Sequence, residues 1–575
     1  MNYRFSQSVP VKPWTDIKSA EQYGPQCTQP LAMERMVQVS VFLAIICAVP
    51  TFGTDELVRN TKYGKVRGIL SAEGQSYLGI PYGKAERFSQ SVSVQPWTDI
   101  KSAEQYGPQC TQPLVFCQSA PSSCNTEMSE DCLTLNVYTP LRAKSKARGH
   151  KYSVLVWIHG GFYQAYTAGS PYFNGLALAS AARIIVVTFN YRLGALGFLK
   201  IPGVETTGNY GFYDQRLALQ WVQDNIHYFG GNPNEVTVGG ESAGAHATLY
   251  HMMTAGSKCL FQRAIALSPP GVEVPTAAVS SKTADYLLKN LDCDTSENKL
   301  SCLRGKTAED IATQSILLPA PDNFLHRVMR YGIYIDGLEI TEGFYDQSNR
   351  DRKFGDKPMI IGTAAFDALR FVYRLLLQPV PLTYFSAVFG QWRPAITMKT
   401  QDVYLTSPVS ASDIRPEISE VLTDAIFTCP ARFFADRLAK ENNVWIYVFN
   451  QPNLDSYTSP VSCEDRSCHV DDIPYLFRHP DEVTGVEDSY FKQLSDLMVS
   501  YIGSFVRTAN PNSRRVSPKW IKYNTNPYCT IEEQEGWVPS CKHPFLELRY
   551  PDPRIVRDFR DDRCDFWDTV GYKQE

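Results

Sequence analysis

Short runs of β-branched and aromatic residues recur along the chain at wide intervals, and they are apolar at consecutive positions rather than at alternate ones. Val154-Leu-Val-Trp-Ile158, Ile184-Ile-Val-Val-Thr-Phe189, Val236-Thr-Val238, Met359-Ile-Ile361 and Val444-Trp-Ile-Tyr-Val-Phe449 are each too short for a stable helix and show no polar face. A strand that is apolar on both faces belongs inside a sheet covered on both sides, and helical stretches separate these runs. The pattern predicts an α/β fold with a large, mostly parallel central sheet, helices on both faces and elaborated loops. At roughly 150 residues per domain, a chain of 575 residues would hold several domains. No long Pro/Gly/Ser linker divides it, so one large domain is expected over residues 54–575. In such a sheet, functional groups gather where loops converge at the carboxyl ends of the strands.

The strand ends do carry candidate chemistry. Val236-Thr-Val238 runs into Gly239-Gly-Glu-Ser-Ala-Gly244 and then into the helix former Ala245-His-Ala-Thr-Leu-Tyr. A G-x-S-x-G between a strand and a helix is a nucleophile elbow: glycines flank the serine because side chains there would collide, and the tight turn lifts the hydroxyl clear of the sheet. Ser242 is the predicted nucleophile. Val154–Ile158 runs into His159-Gly-Gly-Phe-Tyr163. A strand ending in such a turn, upstream of the elbow, supplies backbone N–H groups to an oxyanion. Gly160, Gly161 and Ala243 are the predicted donors, each worth roughly 3 to 4 kcal/mol of barrier.

The chain order for this arrangement is nucleophile, acid, histidine. Asp367 follows the strand Met359–Ile361 and sits among apolar neighbours, where a carboxylate needs a buried partner such as an imidazole N–H. A solvated loop carboxylate is the competing reading. Three histidines lie downstream. His479 and His543 each precede a proline in polar surroundings and read as exposed loop residues. His469 stands between Cys468 and Val470-Asp-Asp-Ile-Pro-Tyr-Leu-Phe477, where a short loop closed by Cys463 and Cys468 would fix it, and is the predicted general base. His246, four residues past Ser242, lies in the helix behind the elbow and reads as packing.

Charge adds little: the net value is −4, with acidic and basic residues interspersed, so no basic stripe points to nucleic acid. Cysteine adds more. Fifteen cysteines without a zinc-spaced array indicate disulfides and an oxidising compartment. Residues 33–53 supply the matching export signal, a Met-Glu-Arg-Met start and an apolar run from Val37 to Val49 that is too short to span a bilayer, then small residues near Gly53. Ahead of it, Arg4–Leu31 copies Arg87–Leu114 at an offset of 83, differing only at Pro10 for Ser93 and Lys12 for Gln95. One copied segment is not a repeat fold. Residues 1–32 are therefore read as a duplicated or mispredicted segment, with translation starting at Met33 or Met36. No membrane anchor and no Asn-x-Ser/Thr sequon are seen, so the expected product is secreted, free of a membrane anchor and without N-glycans.

The motifs together resemble the type-B carboxylesterase and cholinesterase family, with its α/β-hydrolase fold, over residues 55 to 572. The resemblance rests on Gly79-Ile-Pro-Tyr-Gly83, Ser129-Glu-Asp-Cys-Leu-Thr-Leu-Asn-Val-Tyr138, Asn190-Tyr-Arg-Leu-Gly-Ala-Leu-Gly-Phe198, Gly208-Asn-Tyr-Gly-Phe-Tyr-Asp-Gln215 and Gly240-Glu-Ser-Ala-Gly244. It implies that Asp367, five residues after Gly362, is the acid of the triad, although the family usually has Glu-Gly where this chain has Asp-Ala. It also implies His469 as the base, with His-Val replacing the usual His-Gly. The family's three oxyanion glycines become Gly160, Gly161 and Phe162, and Phe162 at a position that demands glycine geometry is expected to be strained. By resemblance Cys110 pairs with Cys132, Cys293 with Cys302, and Cys429 with Cys564. Short spacing suggests Cys463 with Cys468, Cys529 with Cys541 and Cys117 with Cys124, leaving Cys259 free.

The implied activity is hydrolysis of a small-molecule carboxylic ester through an acyl-enzyme, with no metal or cofactor, and with His469 titrating in the ordinary range of roughly 6 to 7. Two rivals stand beside it. Cholinesterase activity is disfavoured because the family's choline-binding tryptophan position, counted back from Glu130, is Ser122. A catalytically weak or dead adhesion or binding protein, of the neuroligin-like kind, is the other.

Overall fold

The computed structural model describes residues 57–119, 124, 127–141, 151–204, 208–317, 330–349, 357–406, 409–452, 463, 465–480, 488–523 and 543–572. The copied segment, the proposed export signal, Ser122 and the Cys529–Cys541 pair lie outside them. The central sheet has eleven strands: β1 (Ile69–Leu70), β2 (Gly74–Pro81), β3 (Thr134–Pro140), β4 (Tyr152–Ile158), β5 (Ile185–Phe189), β6 (Gly231–Glu241), β7 (Arg263–Leu267), β8 (Met359–Ala364), β9 (Val444–Phe449), β10 (Phe545–Leu548) and β11 (Arg554–Val556). Their order is β11-β10-β9-β8-β7-β6-β4-β5-β3-β2-β1. The middle of the sheet, from β5 through β4, β6, β7, β8 and β9 to β10, is parallel. Both flanks are antiparallel. This is the α/β-hydrolase fold expected from the runs, with short antiparallel edge strands that the runs did not reveal.

The consecutive apolar pattern has its cause in the layering. Along β4, Val154, Val156 and Ile158 point into one core, while Leu155 and Trp157 point into a second core on the opposite face. The first face is covered by α2 (Tyr210–Asn225) and α3 (Ala243–Met253), the second by α1 (Leu176–Ala182) and α5 (Asp488–Thr508). Helix α3 is buried from Ala243 to Met252, which explains why its sequence is apolar nearly all round. A short helix α4 (Leu369–Leu375) follows β8 and carries the loop after that strand back over the sheet end.

Two of the ordered sequence blocks meet in a buried ion pair. Arg192 donates from Nε and Nη2 to both carboxylate oxygens of Asp214 on α2, each at 2.7 Å, and its backbone N–H adds a third bond at 3.1 Å. The Arg192 Nη1 group reaches the carbonyl of Ser89 at 2.7 Å, which fastens the segment after β2 to the sheet. Asn190 does similar work, its side chain accepting from Thr167 and Ala168 and donating to Pro108. Among the described residues five disulfides are formed, Cys110–Cys132, Cys117–Cys124, Cys293–Cys302, Cys429–Cys564 and Cys463–Cys468, and Cys259 is free and exposed. Among the described residues no helix is long and apolar enough to cross a membrane.

Removing one partner of a buried pair strands the other charge. Asp214→Ala is expected to lower the unfolding free energy by about 3–5 kcal/mol, measured as the shift of the urea denaturation curve. A loss below about 1 kcal/mol, the ordinary value for an exposed pair, would show that Arg192 is rehydrated.

Candidate active site

Ser242 sits where β6 ends and α3 begins, at φ 55° and ψ −123°, a strained conformation for a residue with a side chain. Its N–H donates to the carbonyl of Leu267 at 2.8 Å, which ties the turn to the neighbouring strand. The flanking glycines are sterically required. A Cβ on Gly240 would lie 2.4 Å from the backbone of Gly244, and a Cβ on Gly244 would lie 2.0 Å from the carbonyl oxygen of Ile158. Ser242 thus stands at the N-terminus of an eleven-residue helix whose dipole favours negative charge there.

The turn after β4 closes over this serine. A Cβ on Gly160 would come within 3.0 Å of Ser242 Cβ, and Gly161 has φ 94°, with its Cβ direction blocked by the carbonyl of Ala165 at 2.3 Å. Gly160, Gly161 and Ala243 therefore frame Ser242 from two sides. Phe162 adopts φ 57° without being glycine, as does Tyr163 at 60°. Its ring packs edge-on to Phe371 at 5.4 Å.

Asp367 follows β8 and has no solvent exposure. One carboxylate oxygen accepts from the Nδ1 of His469 at 2.8 Å. The other accepts from the hydroxyl of Ser268 at 3.0 Å and from the N–H of Ala364 at 2.8 Å. The loop that brings His469 to this point is pinned repeatedly. Phe366 N–H donates to Ser467 O, Ser467 Oγ donates to Phe449 O, and the Cys463–Cys468 disulfide closes the turn. Arg370 on α4 donates from Nη1 to the His469 carbonyl at 3.2 Å and from Nη2 to Asp471 at 2.9 Å. Val470, where a glycine was expected from the family pattern, lies at φ 71°, an unusual conformation for a β-branched residue.

The other ring nitrogen of His469 stands 3.0 Å from Glu241 Oε1 but off the line of a hydrogen bond. The imidazole is buried against Phe371 and Phe427, with ring centres at 5.0 and 5.1 Å. Burial opposes the charged form, yet the carboxylates of Glu241 and Asp367 outweigh it and push His469 up to about 10. Burial likewise pushes the Glu241 carboxyl up. The ordinary imidazole range expected from the sequence is too low for this setting, because a second carboxylate reaches the ring.

Ser242, His469 and Glu241 open into one cavity. Phe162, Phe371 and Phe173 line it, with Arg370 and Arg374 on α4. Sequence reasoning passed over Glu241, Ser268 and Arg370. Glu241 is the variable residue of the elbow motif, but nothing local says that its carboxylate meets His469. Ser268 directly follows β7, a strand end that was not read as such. Among the other histidines, His246 packs as expected, bonded to the Tyr163 hydroxyl at 2.8 Å. His543 differs from expectation. It is buried, with Nδ1 2.9 Å from Asp561 and its ring stacked on Tyr523, because the strand that follows draws it inside.

The profile of the carboxylesterase family matches residues 55–567. The chain is 31% identical over 515 residues to the cAMP-regulated D2 protein of Dictyostelium discoideum, covering 86% of this chain and 94% of that protein. It is 30% identical over 578 residues to the cholinesterase of Mus musculus, covering 93% and 90% respectively. The solved structure of a thermophilic PNB esterase is similar with a TM-score of 0.73 and 27% identity, over 88% of this chain and 99% of that one. With a family match across nearly all of its described sheet and the elbow, histidine and acid loops at one sheet end, this chain belongs to the carboxylesterase family.

Proposed function

We propose that the protein is a secreted serine carboxylesterase whose catalytic domain occupies residues 54–575, behind an export signal at 33–53 and a segment, 1–32, that is not part of the natural product. The observation that carries the enzymatic reading is the 2.8 Å contact of buried Asp367 with His469, whose other ring nitrogen lies on the side of the cavity that holds Ser242 at its strained elbow. Asp367 holds the Nδ1–H tautomer, so Nε2 is the basic nitrogen. Ser242 Oγ attacks the ester carbonyl carbon and its proton passes to Nε2. The tetrahedral oxyanion is received by N–H groups of the Gly160–Gly161 turn and of Ala243. Nε2 returns the proton to the departing alkoxide, which leaves as the alcohol, and a water activated by the same nitrogen then hydrolyses the acyl-enzyme. No metal or other cofactor takes part. Five disulfides and the apolar run Val37–Val49 support export.

A second reading, a binding protein without turnover, is favoured by the position of Glu241. Its carboxyl and that of Asp367 favour the imidazolium form of His469, and an imidazolium accepts no proton. The two readings separate cleanly.

Purified protein should hydrolyse a short-chain p-nitrophenyl ester, with kcat falling by about 10⁴-fold or more in Ser242→Ala; release of p-nitrophenol at the same rate by both proteins would remove the enzymatic reading. A base must be neutral to take the serine proton, so a raised pKa moves the acid limb of the kcat/KM profile to higher pH. The wild-type midpoint is expected above about pH 7, and in Glu241→Gln, which removes one of the two carboxylates, it should fall by about one unit or more toward 6.5. An unmoved midpoint would show that Glu241 does not charge His469. Acetylcholine should be turned over at least about tenfold more slowly than a neutral ester of equal size, since no cation–π face is supplied at position 122. Equal rates in a colorimetric assay would reverse that expectation.

A further inference from the structure

The turn after β4 puts an aromatic ring beside the nucleophile. Phe162 follows Gly161 directly, at φ 57°, and lines the same cavity as Ser242 and His469. The backbone on both sides of it is pinned. The Gly161 carbonyl accepts from the N–H of Gln164 at 2.8 Å and of Ala165 at 2.9 Å, and the Tyr163 carbonyl accepts from the N–H of Gly194 at 2.7 Å. Tyr163, fully buried and bonded through its hydroxyl to His246 at 2.8 Å, holds the turn from behind. The direction in which the Phe162 side chain leaves the chain is thereby fixed. Its ring meets Phe371 of α4 edge-on at 5.4 Å. Phe371 in turn lies edge-on to the His469 imidazole at 5.0 Å and stacks on Phe427 at 6.3 Å. A row of packed rings therefore runs from the oxyanion turn to the base, and Phe162 and Phe371 both line the cavity along it.

We propose that Phe162 sets the upper size of the acyl group, so that the protein takes esters of short, unbranched acids such as acetyl to butyryl and rejects longer or aromatic ones. An ester over Ser242 has its carbonyl oxygen at the turn and its alcohol oxygen at Nε2, where the proton is returned. The acyl chain is the substituent left over, and it takes the space beside the turn, where the Phe162 ring stands. A wall braced by the pinned turn on one side and by Phe371 on the other yields little, as close-packed interiors do. At such a wall one methylene changes kcat/KM by about 10- to 200-fold.

This proposal rests on the reading of the cavity as an ester site. The test measures kcat/KM for p-nitrophenyl acetate, butyrate, hexanoate and benzoate, which share an alcohol, and for phenyl and 1-naphthyl acetate, which share an acyl group. In the wild-type protein hexanoate and benzoate are expected to lie at least about tenfold below butyrate. Phe162→Ala removes the ring but keeps a Cβ on the strained backbone, whereas Phe162→Gly also frees the backbone. Both variants should raise the hexanoate-to-butyrate and benzoate-to-butyrate ratios by about tenfold and leave the ratio of the two acetates within about twofold. The glycine variant carries the family's residue at this position and keeps the test open if the alanine variant fails to fold. A flat acyl series in the wild-type protein overturns the proposal without any variant. So does a change of all the esters by one common factor, the result of a role limited to shaping the oxyanion turn. A ratio that moves in Phe162→Gly alone assigns the effect to the backbone, and relief confined to the naphthyl ester assigns the ring to the alcohol side; either outcome overturns it too. Hydrolysis that ignores acyl size leaves the esterase reading standing while this proposal falls. If no ester is hydrolysed the esterase reading falls instead, and dissociation constants of the same acyl series, read by fluorescence quenching in the wild-type and Phe162→Ala proteins, decide the proposal by the same ratios.

Discussion

A carboxylate with no access to water has to be met by donors, and the way Asp367 is met organises one end of the molecule. Its three donors come from three separate pieces of chain: Ser268 after β7, Ala364 at the end of β8, and His469 from a loop about a hundred residues further on. Remove the carboxylate and the histidine loop loses its anchor. Remove the loop and a charge is left stranded in the core. The parallel order of β6, β7, β8 and β9 makes the meeting feasible, because all four strands deliver their following loops to the same end of the sheet.

The electrostatics of that end are more crowded than a single Asp–His contact. Glu241 and Asp367 flank His469 on its two nitrogens, and buried Asp472, bonded to the Tyr447 hydroxyl at 2.6 Å, is pushed up to about 7 by burial. Three buried carboxyl groups around one imidazole cannot all be ionised at little cost, so protonation here belongs to the cluster rather than to any one residue. Arg370 is the compensating cation. Its ion pair with Asp471 and its bond to the His469 carbonyl fix the backbone that carries the imidazole, which leaves the ring itself to respond to charge.

Two departures from the family's glycines fall on the wall of the same cavity. Phe162 at φ 57° and Val470 at φ 71° each hold a side chain where glycine would be free of strain. Such conformations cost on the order of 1–3 kcal/mol each and persist only where the surroundings over-determine them. The surroundings here do so: the Phe162 ring is seated against Phe371, and Val470 lies between the doubly bonded His469 and Asp471. Their side chains narrow the cavity beside Ser242, so the cost is tied to the shape of the site rather than to the stability of the sheet.

Local regularities in the sequence determined the sheet interior and the elbow. A parallel strand buried on both faces leaves a consecutive apolar run, and a serine forced into a sharp strand-to-helix turn needs Gly240 and Gly244 for reasons that lie within a few residues of it. The candidate base was legible by its cysteine-flanked setting, whereas the local setting of Asp367 left a solvated loop carboxylate open and the resemblance to the family singled it out. The contacts of Glu241, Ser268 and Arg370 were not legible, nor was the burial of His543. Those depend on which strand end lies beside which, and side chains at positions 241 and 469, or 268 and 367, meet through the sheet order rather than through any spacing along the chain. The charge state of His469 is decided at that level too, since a pKa is set by what surrounds a group in space.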